Sequence, residues 1–148
     1  MDVRNLSVTQ GWTCGNMVAN PIDVAEFFWT LLGPGRHATP LLSEAALTQM
    51  LAFRHGPFFD GQAAFSYGLG MMNFSTMDWG FDGGGLFYGH NGLTYGFGAQ
   101  SGYNYDHEFA VSWANNNEIW IGPNHKGQQD VLYSTLVRVV KAHRERQK

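Results

Sequence analysis

Apolar positions recur at helical spacing early in the chain, alternate with polar or glycine positions through the middle, and return to helical spacing at the end. Ile22, Ala25, Phe28, Leu31 and Leu32 fall on one helical face. Asn20 suits an N-cap, Pro21 the first helical position and Asp23 the positive end of the helix dipole. Gly33-Pro34-Gly35 stops that helix. A second helix starts at Ser43 as cap, with Leu42 and Leu47 placed for a hydrophobic staple. Its stripe continues through Ala46, Met50 and Leu51, and the pattern predicts an end near Gly56-Pro57.

From Ala63 the period becomes two. Phe65, Tyr67, Leu69 and Met71 alternate with Ser66, Gly68, Gly70 and Met72, which reads as one strand. A turn at Asp82 to Gly85 leads to a second strand, Leu86 to His90. Tyr95 to Tyr103 forms a third, Asn104 to His107 a hairpin turn, and Phe109 to Asn115 a fourth. From Gln128 a closing helix carries Val131, Leu132, Leu136, Val139 and Val140 on one stripe, with Lys141, Arg144, Arg146 and Lys148 toward its C-terminal end. The expected fold is α+β: an antiparallel meander of about four strands, each beside its sequence neighbour, with flanking helices. The closing helix is expected to pack through Val131, Leu132, Leu136 and Val139.

At 148 residues the chain is one domain or part of one. Charged residues are only 14%, well below the usual quarter, so part of the surface is expected to be covered by other protein. A net charge of -3, with the basic residues mostly gathered in the tail, gives no reason to expect a nucleic-acid partner. Cys14 is alone, so no intrachain disulfide can form and the redox compartment stays open. No apolar run approaches membrane-spanning length, and Met1 to Asn5 lacks the apolar core of a signal peptide. His37, His55, His107, His125 and His143 have no metal-ligand spacing, so neither metal nor cofactor is expected.

The most informative stretch runs from Phe87 to Phe97. His90 stands between apolar runs, with Gly89 before it and Gly92 and Gly96 after it. Glycine at such places lets another backbone or a ligand approach closely. On the third strand, close packing explains Gly98 and Gly102 best, and a cleft floor explains Gly92 and Gly96 best. His90 has two readings, a hydrogen-bonded histidine at a strand end or a site residue, and the glycines around it favour the second.

Tyr88-Gly89-His90-Asn91-Gly92 resembles the His-x-Gly box of the serine β-lactamase and penicillin-binding-protein superfamily, in its class C and esterase-like branch. The order of other segments extends the resemblance over nearly the whole chain. Cys14-Gly15 through Phe28 resembles the family's glycine-rich turn and following helix, Leu41-Leu42-Ser43 its next helix start, Tyr67-Gly68-Leu69-Gly70 its Tyr-Gly-Leu-Gly strand, and Val111 to Asn116 its last strand. The resemblance implies that residues 1–148 are a single partial domain, the C-terminal portion of a β-lactamase/transpeptidase-like fold whose sheet is completed by an upstream part. It also implies acyl transfer through an acyl-serine on a small ester, amide or peptide substrate. His90, Asn91, Gly92 and Leu93 would supply a cleft wall, with the Leu93 N–H as an oxyanion donor. Histidine, where lysine is usual in the β-lactamases, points to an esterase, D-aminopeptidase or carboxypeptidase-like enzyme. The chain has no Ser-x-x-Lys and no Tyr-x-Asn. The nucleophile and base are therefore missing, and the chain alone is expected to be inactive. The alternative is a non-catalytic binding or structural protein that keeps this half of the fold.

Overall fold

The computed structural model describes residues 15, 17–58, 62–76, 85–94, 97–116 and 128–148. Among these, three α-helices flank one antiparallel sheet: α1 (Pro21–Leu32), α2 (Glu44–Met50) and α3 (Gln128–Glu145). The strands are β1 (Arg54–Phe58), β2 (Gln62–Tyr67), β3 (Met72–Asn73), β4 (Phe87–Thr94), β5 (Phe97–Asn104) and β6 (Phe109–Asn115), and they lie side by side in chain order. The α+β class and the β4–β5–β6 meander agree with the sequence pattern. The glycine-rich turn through Cys14, and Trp79, Tyr95, Gly96, Asn117 and His125, lie outside the described residues.

The strand count is six, not four, for two local reasons. The run from Phe65 to Met72 is not one strand. It folds back at Leu69 and Gly70, where the Gly68 N–H donates to the Met71 C=O across 2.8 Å. Gly70 has φ 66°, a left-handed conformation that glycine adopts without strain. The second correction concerns α2. It ends at Met50, whose C=O accepts from the Leu69 N–H at 3.0 Å, and the chain then enters β1. Arg54-His55-Gly56-Pro57-Phe58 has no apolar alternation that would mark a strand. Pairing with β2 makes it one, with a register shift between Pro57 and Phe58. Proline is tolerated there because β1 lies at the sheet edge.

Helices cover both faces of the sheet. On one, Phe28, Leu31 and Leu32 of α1 and Leu47 of α2 pack with Met71 and Tyr103. On the other, Tyr133 and Val137 of α3 pack with Met72, Phe74, Phe87 and Val111. Neighbouring residues alternate between the layers as the pleat requires: Met71 and Met72 part company, as do Tyr88 and Phe87. Asn20 caps α1 by accepting from the Asp23 N–H at 3.0 Å, and Ser43 caps α2 through the Ala46 N–H at 3.2 Å.

The face of α3 that packs is only partly the expected one: Leu136 joins the layer with Tyr133 and Val137, but the other expected residues do not. Val131, Leu132 and Val139 are 61%, 43% and 59% exposed, whereas Tyr133 and Val137 are buried. The Tyr133 ring packs against Phe87, with centroids 4.6 Å apart, and lies near Phe109 and Trp113. Its hydroxyl accepts from Asn104 Nδ2. One large aromatic ring with a satisfied hydroxyl outweighs several small aliphatic side chains, and it turns the helix to suit itself. Ile22 at the start of α1 is likewise exposed, so the packed stripe of that helix begins at Val24. Phe27 is half exposed.

Two outcomes are expected. Phe87→Ala should cost about 3–5 kcal/mol in urea unfolding, and Val139→Ser should stay within about 0.5 kcal/mol. The reverse ranking would show that α3 packs through its valine stripe. The second concerns alkaline pH. Burial pushes the Tyr105 hydroxyl up to about 12 and raises those of Tyr88, Tyr103 and Tyr133 from an ordinary value of 10.0. The folded chain therefore holds protons that the unfolded chain has released, so this stability is complete below pH 10 and is lost as pH rises toward 12. Urea midpoints measured from pH 9 to pH 12 should fall over that interval, and less steeply in Tyr105→Phe.

Candidate functional site on the open side of β4

β4 carries all four candidate residues, and its register with β5 is continuous from Phe87↔Asn104 to Thr94↔Phe97. His90 stands opposite Ser101, Asn91 opposite Gln100, Gly92 opposite Ala99 and Leu93 opposite Gly98. β3 is much shorter and meets β4 only at Tyr88 and Gly89. Beyond Gly89, no described strand pairs with that side of β4.

The hydrogen-bond alternation determines where the amides point. The Tyr105 N–H donates to the Leu86 C=O at 2.8 Å, one step before the first β4–β5 pair. In an antiparallel ladder every second pair then exchanges bonds, here Tyr88–Tyr103, His90–Ser101 and Gly92–Ala99. The N–H groups of Gly89, Asn91 and Leu93 point away from β5. Gly89 faces Met72 of β3, while Asn91 and Leu93 face the side that β3 leaves uncovered.

The glycines in the box differ in role. A Cβ on Gly89 would lie 2.0 Å from the Ser101 carbonyl oxygen and 2.7 Å from the Gly102 Cα. A Cβ on Gly102 would lie 2.3 Å from the Tyr88 carbonyl oxygen. Both positions serve the contact between β4 and β5, which agrees with close packing for Gly102 and assigns Gly89 to the same task. Gly92 is exposed, and a Cβ there would meet nothing within 4 Å.

Both ring nitrogens of His90 have partners within the chain. Nε2 lies 2.8 Å from Tyr67 Oη, and Nδ1 lies 2.6 Å from the Asn91 carbonyl oxygen. Tyr67 is the last residue of β2, and the two rings meet edge to face with centroids 5.8 Å apart. This pairing across β3 has no signature in the sequence, where Tyr67 is simply one apolar position in an alternating run. Sequence reasoning also missed the buried polar atoms nearby. Gln100 is 1% exposed, and its Nε2 has no hydrogen-bond partner; nor have Trp113 Nε1 and Asn115 Oδ1. The register lines up Asn91, Gln100 and Trp113 across three strands.

Among the described residues no serine is placed as an activated nucleophile. Ser101 Oγ donates to Ser112 Oγ at 2.8 Å, and both sit within the sheet. Ser66 Oγ lies 3.3 Å from His55 Nδ1, but Ser66 is buried mid-strand. Among the described residues no three His, Cys, Asp or Glu side chains gather as a metal site, and no helix is long and apolar enough to cross a membrane. A depression lined by Arg36, His37 and Leu41 to Glu44 lies at the approach to α2 and includes no β4 residue. No protein-family model, curated protein or solved structure matches the chain.

The two glycines should separate in a melting experiment. Gly89→Ala forces a methyl group into backbone and should lower stability by more than about 2 kcal/mol or prevent folding. Gly92→Ala should change it by less than about 1 kcal/mol, since only the strand's backbone entropy is affected. Equal losses would show that Gly92 is also packed.

Proposed function

We propose that this chain is the C-terminal segment of a β-lactamase-related serine hydrolase, and that it supplies the His-x-Gly wall and one oxyanion donor. The observation that supports this reading most is the open side of β4, where the Leu93 N–H points away from β5 beyond the end of β3. An acyl carbonyl approaching there meets a backbone donor held in place by a long ladder, next to a glycine that leaves the approach clear. A rigid donor of that kind stabilises the negative oxygen of a tetrahedral intermediate, and losing one typically costs roughly 10²–10³ in turnover. Serine, lysine and tyrosine would come from the upstream part of the same fold, and the substrate would be a small ester, amide or peptide. A second reading, a binding or structural protein that keeps this half of the fold, is favoured by the engagement of both His90 nitrogens inside the chain.

The test uses the ¹⁵N-labelled chain and phenylphosphonate, an anionic tetrahedral mimic. The amide signals of Asn91 and Leu93 should shift saturably, and Gly92→Val should weaken the effect by blocking the approach. The chain alone should not turn over p-nitrophenyl acetate or nitrocefin, since its sequence has no Ser-x-x-Lys to supply the nucleophile. Shifts confined to other residues, or unchanged in Gly92→Val, would remove the site from β4.

A further inference from the structure

Three tyrosines and one arginine gather on the α1 side of the sheet without pairing their polar atoms. Tyr88 stands opposite Tyr103 in the β4–β5 ladder, and Tyr105 follows two residues on, so all three project from the same face. The Tyr105 ring meets Tyr88 and Tyr103 edge on, with centroids 5.1 and 5.0 Å apart. The turn Pro34–His37 lies directly on this group. A Cβ on Gly33 would lie 2.7 Å from Tyr103 Cε2, and one on Gly35 would lie 2.7 Å from Trp29 Cδ1. Burial pushes the Tyr105 hydroxyl up to about 12 and raises those of Tyr88 and Tyr103, so all three are O–H donors at neutral pH. The Arg36 guanidinium on the turn is near enough to the Tyr103 and Tyr105 hydroxyls to oppose part of that rise.

Among the described residues, the Arg36 side chain and these three hydroxyls make no hydrogen bond, and Arg36 has no carboxylate partner. Arg36 is half-buried, so its charge loses part of its hydration with no partner in return. The acids on the β5–β6 turn are already engaged. Asp106 accepts from the Leu86 N–H at 2.9 Å, and Glu108 lies 3.3 Å from Arg144. Arg36 also lines a depression of about 440 Å³ whose wall includes Pro40, Leu41, Leu42 and Glu44. Leu41 and Leu42 are 48% and 36% exposed, which puts an apolar surface next to an unpaired cation.

We infer that this place binds an aliphatic carboxylate, with its head on Arg36 and its chain over Leu41 and Leu42. The planar guanidinium takes the two carboxylate oxygens as a fork, and the Tyr103 and Tyr105 hydroxyls donate to the lone pairs that remain. One unpaired cation matches one negative charge. A phosphate dianion would carry a second charge toward Glu44 and Glu108 with nothing to offset it. The site uses neither His90 nor the Asn91 and Leu93 amides, so it stands whether or not the hydrolase reading does.

The test titrates sodium octanoate, below its micelle-forming concentration, into the ¹⁵N-labelled chain, with octanol as the uncharged control. Octanoate should shift the amide signals of Leu41 and Leu42 and the Arg36 Nε–H saturably, and octanol should not. Arg36→Gln should weaken octanoate binding about tenfold or more, as expected for loss of a charge-assisted contact. Tyr105→Phe keeps the ring but removes a donor, and it should weaken binding about threefold. Glu44→Gln removes an acid from the lining and should tighten binding about twofold. N-acetylleucine serves as a competitor: displacement of octanoate assigns the carboxylate to a peptide terminus, and its failure assigns it to a free aliphatic acid. Equal shifts from octanol and octanoate would show apolar contact alone and overturn the inference, and that comparison uses the unaltered chain. Octanoate affinity unchanged in Arg36→Gln would overturn it equally.

Discussion

β4 and β5 approach so closely at Gly89 and Gly102 that neither strand can carry a side chain there. This contact does more than save space. A slip of one residue would bring Tyr88 or His90 where Gly89 now meets Ser101, and it would exchange the two faces of the strand. With the register held, Phe87 goes to the layer under α3 and Tyr88 to the layer under α1 and α2. The same register brings His90 just past the end of β3. The two hydrophobic layers and the open side of β4 therefore depend on one pair of facing glycines.

The aromatic residues are divided between the layers in a way that suits their hydroxyls. In the layer under α1, Trp29 meets Tyr103, Tyr103 meets Tyr105, Tyr105 meets Tyr88 and Tyr88 meets Phe53, each pair 4.6 to 6.0 Å apart. Under α3 the Tyr133 ring is enclosed completely, and Asn104, itself fully buried, meets its hydroxyl. Asn104 also accepts from the His107 N–H at 2.7 Å, so one amide ties the β5–β6 turn to the closing helix. A buried asparagine that satisfies two elements at once restrains both of them.

Periodicity made part of this legible. Capped helix starts at Asn20 and Ser43, and the strands β5 and β6, are local properties that appear where the pattern places them, although along β5 Phe97 and Ala99 are exposed while Gly98 and Gln100 are buried. What escaped depends on contacts between distant residues. β1 is a strand because β2 is beside it, and the face of α3 is chosen by Tyr133 finding Phe87 and Asn104 rather than by a count of valines. Candidate chemistry divides in the same way. The glycines around His90 mark a place where backbones come close, yet the pattern does not tell a neighbouring strand at Gly89 from open space at Gly92. Tyr67 was visible only as one beat of an alternation, although the structure brings it to His90.

The sheet's two outer strands differ in character. β1 presents Arg54, His55, Gly56 and Pro57, with a register shift, and such features discourage another strand from pairing. β6 reads Phe-Ala-Val-Ser-Trp-Ala-Asn, with neither charge nor proline, and no described strand follows it in the sheet. Its ladder with β5 uses the amides of Phe109, Val111, Trp113 and Asn115, which turns those of Ala110, Ser112 and Ala114 outward. Among the described residues the sheet is thus blunted at its first strand, while its last presents a row of outward amides.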